Sequence, residues 1–431
     1  MTRRWLKAFS LVVGVALPLT LVACSSGGAT PTAAPSAGAS NAEGTDDGAK
    51  LTLWTRAPLE KQAKLLVEAY NASHKNQVEL TVVPNDDYVA KVGAAAGSKG
   101  LPDLFAADIV YVPNWVRQGL FQDMTGRIDA LPFKDSINQG HVTAGTADGK
   151  KYVLPFVLDI SMLFWNKDLF KEAGLDPEKA PASMAEYADA AKKIQGLNKP
   201  GVYGTATGLN CGGCMVFTWF PSIWASGDQV MNPDGTQSLL NGANAKKVFD
   251  TWRDLWSAGA VLPSSKDEAG ATWTAGFTEG KVGLMFYPAT LMSSTPFDAG
   301  VAGIPGVSGG ASTFVGGDGI GISKDSTKAD QAWNFLNWMM SEDAQVGVLA
   351  KDNDAVSRGD LANNEYASKD PRMVTVNQVA AKGQTPVALN FQQAFNAVGS
   401  PWVTMVRNQV LNGANTVDAD NEQITAILAQ Q

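Results

Sequence analysis

Cysteine and histidine are scarce in this chain, and their scarcity argues against several kinds of site. The 431 residues include three cysteines and two histidines, His74 and His141, which lie far apart in the sequence. A zinc site needs about four cysteine, histidine or carboxylate ligands, and a nucleophile with a histidine base usually leaves a recognisable local pattern. Because the sequence has neither pattern, we predict no metal, no cofactor and no catalytic residue.

Positive charge is also in short supply. Lysine and arginine number 34 against 42 acidic residues, which gives a formal net charge of −8. An acidic protein repels the phosphate backbone, so nucleic acid is not an expected partner. Beyond the N-terminus we find no second apolar run long enough to cross a membrane, and the 45% hydrophobic content supports well-packed interiors.

The first 23 residues have the three parts of a secretory signal peptide. Arg3, Arg4 and Lys7 form a basic start, and a mostly apolar run extends from Ala8 to Ala23. A spanning helix needs roughly 20 apolar residues, whereas a basic start, a short apolar core and a small residue before the cut are typical of export signals. Twin-arginine export stays open beside the general secretory route.

Cys24 follows Leu21, Val22 and Ala23, and together these residues resemble the bacterial lipobox. In lipoproteins of that kind the cysteine becomes the first mature residue and carries the lipid on its sulfur. We therefore expect Cys24 to be lipidated and the protein to be anchored at the extracytoplasmic face of the cell membrane. The alternative is an ordinary signal peptide beside which Cys24 is incidental.

Residues 24–49 are predicted to be the lipidated cysteine and a flexible linker. Almost all of them after Cys24 are serine, glycine, alanine, threonine or proline. Such a segment has little apolar surface to bury, so ordering it would not repay the lost conformational entropy. As a flexible coil it would hold its ends on the order of 25 to 30 Å apart, which is enough for a tethered protein to stand off a membrane.

The remaining cysteines, Cys211 and Cys214, enclose two glycines. In an exported protein the default expectation is a structural disulfide that closes a tight loop. A thioredoxin-like redox pair and a metal site are the alternatives. A redox motif normally opens a helix after a strand, and the glycines here favour a tight loop instead.

Strand and helix patterns alternate after residue 50. Residues 51–54, 78–83 and 104–107 have the character of strands, and residues 60–71 and 87–97 that of helices. Strands separated by helices indicate parallel βαβ units. Further helices are predicted after the capping box of Ser183 and Glu186 and over residues 328–340. The fold class is therefore α/β.

Several segments, in order along the chain, resemble those of the extracellular solute-binding proteins of ATP-driven sugar importers, the class that includes maltose-binding protein. The most specific is residues 164–175, FWNKDLFKEAGL, which is similar to the crossover segment of that family. The other segments that carry the resemblance are residues 51–54 (LTLW), 101–105 (LPDLF), 152–156 (YVLPF), 277–285 (FTEGKVGLM) and 317–323 (GDGIGIS).

The resemblance implies a two-lobe periplasmic-binding-protein fold of class II, with discontinuous lobes, a hinge and a ligand cleft between the lobes. Lobe one would comprise residues 50–157 plus 312–345, and lobe two residues 158–311 plus 346–431. It also implies that the protein captures a sugar or an oligosaccharide and delivers it to an ABC permease in the membrane. We expect a monomer.

Candidate ligand contacts follow from sugar chemistry and from position. Sugar C–H groups stack on aromatic rings, and sugar hydroxyls need paired donors and acceptors. In open α/β sheets, ligands collect beyond the carboxyl ends of the strands. For Trp219, which follows the cysteine pair, ligand stacking and a core position are equally open. The candidates are Trp54, Arg56, Asp87, Asp108, Asp159, Trp219, Trp273, Tyr287, Asp318 and Arg358.

Two other functions stay open at this stage. One is a binder of a different small solute, such as a polyamine or a peptide, which the mature chain's eleven tryptophans disfavour. The other is a secreted glycosidase that uses two carboxylates. With 42 acidic residues, pairs of carboxylates arise by chance and decide nothing.

Overall fold

The computed structural model describes residues 43–430. The predicted signal peptide, Cys24 and the linker up to residue 42 lie outside the described residues. Across residues 43–430, no helix is both long enough and apolar enough to cross a membrane.

Strands and helices alternate, as the sequence pattern predicts. The strands are β1 (Lys50–Arg56), β2 (Gln77–Val83), β3 (Leu104–Asp108), β4 (Thr146–Ala147), β5 (Lys150–Lys151), β6 (Leu154–Asn166), β7 (Leu284–Pro288), β8 (Ala299–Ala302), β9 (Ile304–Pro305), β10 (Ala311–Ser312) and β11 (Val315–Ile322). The α-helices are α1 (Glu60–Ser73), α2 (Asn85–Ser98), α3 (Val112–Arg117), α4 (Thr125–Asp129), α5 (Gln139–Ala144), α6 (Lys167–Glu172), α7 (Met184–Gln195), α8 (Gly212–Ala225), α9 (Ala243–Ser257), α10 (Ala275–Thr278), α11 (Ala329–Met339), α12 (Glu342–Ala344), α13 (Pro371–Ala380), α14 (Pro401–Val410) and α15 (Val417–Leu428).

One main sheet organises the molecule. Its strand order is β2-β1-β3-β11-β6-β7, and β8 pairs with β6 as well. The first three strands run parallel to one another, and β11 and β6 enter antiparallel to their neighbours. The predicted βαβ units are confirmed: α1 connects β1 to β2, and α2 connects β2 to β3.

The long strand β6 joins two halves of this sheet. Its first half, up to Ile160, pairs with β11, and its second half, from Ser161, pairs with β7 and β8. Twelve of its thirteen residues are buried, as expected of a strand covered on both faces. The switch of partners lies close to the lobe boundary predicted at residues 157 and 158, which itself stays a prediction.

Helix α7 begins where the sequence predicts. Ser183 is its N-cap, and the Ser183 side chain accepts a hydrogen bond from the backbone N–H of Glu186 at 3.2 Å. Glu186 reaches back to the backbone N–H of Ala182 at 3.1 Å, one residue before the cap. The helix places Met184, Tyr187 and Ala191 in the core.

The last residues of the predicted linker differ from the expectation. The Asn76 amide oxygen accepts hydrogen bonds from three successive backbone N–H groups, those of Asp47, Gly48 and Ala49, at 3.0 to 3.2 Å. Gly44 has a positive φ of 79°, and an added Cβ would lie 2.5 Å from the backbone nitrogen of Asn334. Residues 43–49 are therefore fastened to the folded body, because Asn76 supplies the acceptors that a free coil would take from water.

The cysteine pair also differs from the predicted tight loop. Cys211 is the N-cap of α8, its sulfur accepts the backbone N–H of Cys214 at 3.1 Å, and the two glycines lie in the first helical turn. The disulfide between Cys211 and Cys214 is present. Gly212 is needed for packing, since a Cβ there would lie 2.0 Å from the carbonyl oxygen of Phe395.

Candidate ligand-binding site

Three strands bring charged side chains together at one edge of the sheet. Arg56 is the last residue of β1, and Asp108 is the last residue of the parallel strand β3. Asp318, on the antiparallel strand β11, lies directly opposite Asp108. Because opposite residues on adjacent strands point to the same face, the two carboxylates share a side of the sheet with the guanidinium between them.

Arg56 binds both carboxylates. Its Nε donates to Asp318 Oδ1 at 2.8 Å, and its Nη1 lies 3.1 Å from Asp108 Oδ2. The Arg56 side chain is 12% exposed and that of Asp318 is fully buried. Burial alone would lower the pKa of Arg56, but Asp108 and Asp318 outweigh it and hold that pKa above its ordinary value. The guanidinium therefore stays charged at every physiological pH.

Asp159 adds a third carboxylate from β6. Its Oδ1 accepts a hydrogen bond from the hydroxyl of Thr290 at 3.0 Å. Burial raises the pKa of Asp159 to about 6, while the Thr290 hydrogen bond and the charge of Arg56 act in the opposite direction. We call Arg56, Asp108, Asp159 and Asp318 the charged cluster.

Glycine in β11 permits this arrangement. Gly317 has a φ of 94°, and a Cβ there would lie 2.0 Å from the carbonyl oxygen of Val157 on β6. The register between β11 and β6 shifts directly after it, between Asp318 and Gly319. Irregularities of this kind re-aim side chains next to functional sites, and here the irregularity lies at Asp318.

An aromatic ring lies next to the charged cluster. The edge of the Phe217 ring is 3.3 Å from where a Cβ on Gly316 would be, and Gly316 is the β11 residue that pairs with Asp159. Phe217 is half-buried, whereas the residues that follow it on α8 up to Trp224 are buried. It packs against Phe314, with ring centroids 5.7 Å apart. The Phe217 ring is thus packed against Phe314 on one side and remains partly exposed.

Four of the predicted contact residues form the charged cluster, and six do not. Trp219 has no exposed surface: its ring stacks on Trp252 at 4.9 Å between centroids, with an angle of 7° between the planes. Tyr287 is also fully buried, and its hydroxyl lies 3.0 Å from that of Thr278. In this structure a ligand could reach neither ring without opening the core, so both read as core residues.

Arg358 contacts segments predicted for lobe one, although its own position falls within the predicted lobe two. Its guanidinium lies 3.8 Å from the centre of the Phe133 ring, and its Nη1 donates to the carbonyl oxygen of Met340 at 3.0 Å. Both partners belong to segments predicted for lobe one, and Asp360 neutralises the charge. Arg358 therefore has a structural role at this position.

The last three candidates lie near the surface. The half-buried Trp54 ring has the ammonium of Lys91 4.5 Å from its centre. Asp87 is exposed in the first turn of α2. Trp273 is partly buried against the core that contains Phe277 and Met285. The structure brings none of the three into hydrogen-bonding contact with the charged cluster.

The arrangement can bind polar groups, and nothing in it is built to hold a metal. Within residues 43–430, no group of three or more histidine, cysteine or acidic side chains is arranged to bind a metal ion. The charged cluster instead presents carboxylate oxygens and a guanidinium beside an aromatic ring. Hydroxyl-rich molecules need such acceptors and donors.

Comparison with known proteins identifies the family. Residues 56–346, about two thirds of the chain, match the bacterial extracellular solute-binding proteins. The chain belongs to this family. As a member of the extracellular solute-binding proteins, it acts outside the cytoplasm.

Relatives of known specificity cover most of the chain. The diacetylchitobiose-binding protein DasA of Streptomyces coelicolor is 25% identical over 326 residues, which cover 72% of this solute-binding protein and 73% of DasA. The cyclic α-maltosyl-1,6-maltose-binding protein of Arthrobacter globiformis has a solved structure that is 23% identical, with a TM-score of 0.74 and coverage of 88% and 99% of the two chains.

A third solved structure belongs to a solute-binding protein of Thermotoga lettingae bound with α-D-tagatose. It is 19% identical, has a TM-score of 0.75, and covers 88% of this chain and 100% of its own. The two structural likenesses establish the two-lobe α/β fold of the solute-binding proteins, and this confirms the predicted fold class.

Sequence reasoning missed several residues of the site in this solute-binding protein. Phe217 was part of the aromatic run beside the cysteines, but nothing in the run distinguishes it from Trp219. Thr290, which binds Asp159, follows β7 in a segment without a motif. Burial raises the pKa of Tyr111 to about 12, and the charges of Asp108 and Asp318 act in the same direction, which places Tyr111 close to the charged cluster.

Proposed function

We propose that this protein captures a sugar or an oligosaccharide at the charged cluster and delivers it to the permease of an ABC importer, with no chemistry of its own. The observation that carries the proposal is the convergence of Arg56, Asp108, Asp159 and Asp318 beside the ring of Phe217. Carboxylates and a guanidinium bind hydroxyls by charge-assisted hydrogen bonds, and an aromatic face offers apolar area to the C–H groups of a sugar.

The comparisons support a carbohydrate ligand. Diacetylchitobiose, cyclic maltosyl-maltose and tagatose, which are named for three of the similar proteins, are all carbohydrates. In our proposal Phe217 takes the stacking role that the sequence left open for Trp219. The other proposed contacts are Arg56, Asp108 and Asp159, and the fully buried Asp318 holds Arg56 in place.

Closure of two lobes about a hinge is the proposed means of capture. β6 runs through both halves of the sheet, so small backbone changes near the switch of partners at Ile160 and Ser161 could rotate one half against the other. Hinges of this kind need only a few residues to absorb the change. We propose the lobes with the boundaries predicted from the sequence. The contacts of Arg358 with Phe133 and Met340 favour moving residues 346–358 to lobe one.

A lipid on Cys24 is the proposed attachment, with the protein acting as a monomer. A tether keeps a binding protein close to its membrane partner and raises its effective concentration there. The proposal rests on the sequence before Cys24. If the Cys24→Ala protein still partitions into detergent as a lipoprotein, the anchor is elsewhere.

Thermal unfolding with a panel of sugars tests the proposed function, because a ligand that binds only the native state raises the melting temperature. We expect a rise with at least one sugar and no cleavage of any oligosaccharide. Cleavage would instead favour a glycosidase. Phe217→Ala should weaken the affinity about fivefold, in line with roughly 1 kcal/mol for an aromatic contact.

Phe297→Ala is a matched control for Phe217→Ala. Phe297 is also half-buried, packs on Phe277 and lies two residues before β8. β8 begins opposite Asn166, seven positions along β6 from Asp159 and therefore about 20 Å away. Equal loss of affinity in both variants, or unchanged affinity in Phe217→Ala with the fold intact, would contradict the role of Phe217.

A further inference from the structure

The charged cluster contains more negative than positive groups. Arg56 contacts two carboxylates, Asp108 and Asp318, so a single guanidinium serves both. Among residues 43–430, Asp159 has no cationic partner within salt-bridge distance, and Thr290 is the donor that its Oδ1 uses. The nearby ammonium of Lys91 lies over the Trp54 ring instead. The cluster therefore holds three carboxylates against one cation.

One carboxylate oxygen also lacks a donor. Asp318 is fully buried, and its Oδ2 has no hydrogen-bond partner among residues 43–430. A buried acceptor without a donor costs about 1 to 3 kcal/mol, and more when it is charged. Because Asp318 has no exposed surface, a ligand would lower that cost by bringing positive charge into the cluster rather than by bonding to this oxygen. If water left the cluster, its unbalanced negative charge would become still more costly.

We infer that the sugar carries a protonated amino group, as in a hexosamine or an oligosaccharide of hexosamines, and that its ammonium is bound by Asp159 within the charged cluster. This inference rests on the proposed function. A neutral hydroxyl would satisfy an acceptor without balancing its charge, whereas an ammonium does both. Hydrogen bonds between charged groups are roughly twice as strong as neutral ones.

The positive charge and the hydroxyl-bearing ring together separate this ligand from related molecules. An N-acetylated amino sugar has an uncharged amide N–H in place of the ammonium, so it keeps a donor and loses the charge. A polyamine keeps the charge and loses the ring and its hydroxyls. The ammonium sugar is the ligand that uses the carboxylates and Phe217 together.

The pH dependence follows from the groups around Asp159. The charged groups that act on it are Arg56 from β1, Asp108 from β3 and Asp318 from β11, and Thr290 contributes a hydrogen bond. Because burial holds the pKa of Asp159 at about 6, its carboxylate is charged at pH 7 and largely neutral at pH 5. Binding of an ammonium sugar should weaken over that interval, and binding of a neutral sugar should change less.

Calorimetric titration of the full-length protein tests the inference. The probes are glucosamine oligosaccharides, their N-acetylated forms and neutral glucose oligosaccharides of equal length and linkage, at pH 7 and low salt. We expect the glucosamine form to bind at least tenfold more tightly than either analogue, and its affinity to fall severalfold at pH 5. In Asp159→Asn the preference should shrink to about twofold.

Asp298→Asn is the control, because Asp298 is exposed and lies beside Lys167 at the far end of β6. It should leave the preference unchanged. A neutral or N-acetylated sugar that binds as tightly as the glucosamine form would overturn the inference and leave the proposed function intact. Binding of spermidine without binding of any sugar, or no binding of any probe sugar in a panel of mono- and oligosaccharides, would overturn both.

Discussion

The aromatic cluster around Trp219 and the charged cluster around Arg56 differ in how their members are spread along the chain. Trp219, Phe220 and Trp224 follow one another on α8, and all three are buried. Arg56 and Asp318 are 262 residues apart in the sequence, and their side chains are in contact. The conspicuous run of aromatics forms core, whereas scattered single residues form the candidate site. A dense run of aromatic residues in the sequence therefore says little about function in this protein.

Helix geometry explains which aromatic faces the charged cluster. Each residue advances about 100° around an α-helix, so Phe217 and Trp219 point about 200° apart on α8. Trp219 faces Trp252 and Trp402 in the core, and Phe217 faces Gly316 on β11. A ligand role and a core role can therefore belong to residues two positions apart.

Replacement of Trp219 should have the largest effect on stability. Trp219→Ala removes a ring with no exposed surface that stacks on Trp252, so we expect a loss of about 3 to 5 kcal/mol in the free energy of unfolding, measured in urea. Trp273→Ala, in a partly exposed position, should cost clearly less. Equal losses of stability in Trp219→Ala and Trp273→Ala would contradict the distinction between core and site. A loss of ligand affinity in a folded Trp219→Ala protein would contradict it too.

Arg56→Met should have the second-largest effect on stability, and the size of this effect should depend on pH. Without the guanidinium, burial alone would raise the pKa of Asp318 further. A carboxyl with a raised pKa stabilises the fold while it is protonated, and that contribution is lost as the pH rises through the folded-state value. We expect a cost of about 3 kcal/mol at pH 8 and less at pH 5.

Arg253→Met provides the comparison for Arg56→Met. Arg253 pairs with Asp250 on the surface of α9, three residues away on the same helix, and such pairs contribute roughly 0.5 kcal/mol or less. Urea unfolding of both variants at pH 5 and pH 8 measures the difference. A cost in Arg56→Met that did not grow with pH would contradict the role that we assign to the buried carboxylates.

The disulfide at the start of α8 should contribute less to stability than Trp219 or Arg56. A cross-link between Cys211 and Cys214 closes a very short loop, for which chain entropy predicts roughly 2 kcal/mol. The double variant Cys211→Ser, Cys214→Ser keeps a hydroxyl at the N-cap, so the loss should come from the cross-link. Treatment of the wild-type protein with dithiothreitol should lower its melting temperature to a similar extent. Free thiols on both cysteines of the exported protein would contradict the disulfide.

Asp159→Asn should have the smallest effect on stability and the opposite sign. The folded-state pKa of Asp159 is about 6, above its ordinary value of 3.8, so its contribution to stability falls as the pH rises from 4 to 6. Asparagine avoids that loss. The shift corresponds to about 3 kcal/mol, and the cost of burying the asparagine amide reduces it. The ligand-free variant should therefore be more stable than wild type by about 1 kcal/mol at pH 8, with no gain at pH 4, as measured by urea unfolding.

Asp87→Asn should leave stability within about 0.5 kcal/mol at both pH values, since Asp87 is exposed. A destabilised Asp159→Asn at pH 8 would mean that Asp159 supports the fold. If Asp159→Asn is instead more stable at pH 8, as expected, Asp159 is one of the residues that reduce stability to keep a binding group in place.

Local patterns were sufficient for several of the strands and helices. The strands predicted at residues 51–54, 78–83 and 104–107 are β1, β2 and β3 with small extensions at their ends. The helix predicted over residues 328–340 is α11. Period and capping are properties of neighbouring residues, so they can be read without the fold.

Two local predictions failed because distant partners decide them. Residues 43–49 have the composition of a linker, but Asn76 and Asn334 bind their backbone. The two glycines between Cys211 and Cys214 suggest a loop, but they lie in a helix because Phe395 packs against Gly212. In both cases the deciding atoms lie more than 25 residues away.

The sequence by itself determined the family, the alternation of strands and helices, and the positions of Arg56, Asp108, Asp159 and Asp318 as candidates at the ends or crossings of strands. Only the tertiary structure decided that these four meet, because β11 returns antiparallel between β3 and β6 and brings Asp318 opposite Asp108. It also decided that Phe217, and not Trp219, borders the site, since the burial of a helix face depends on what packs against it.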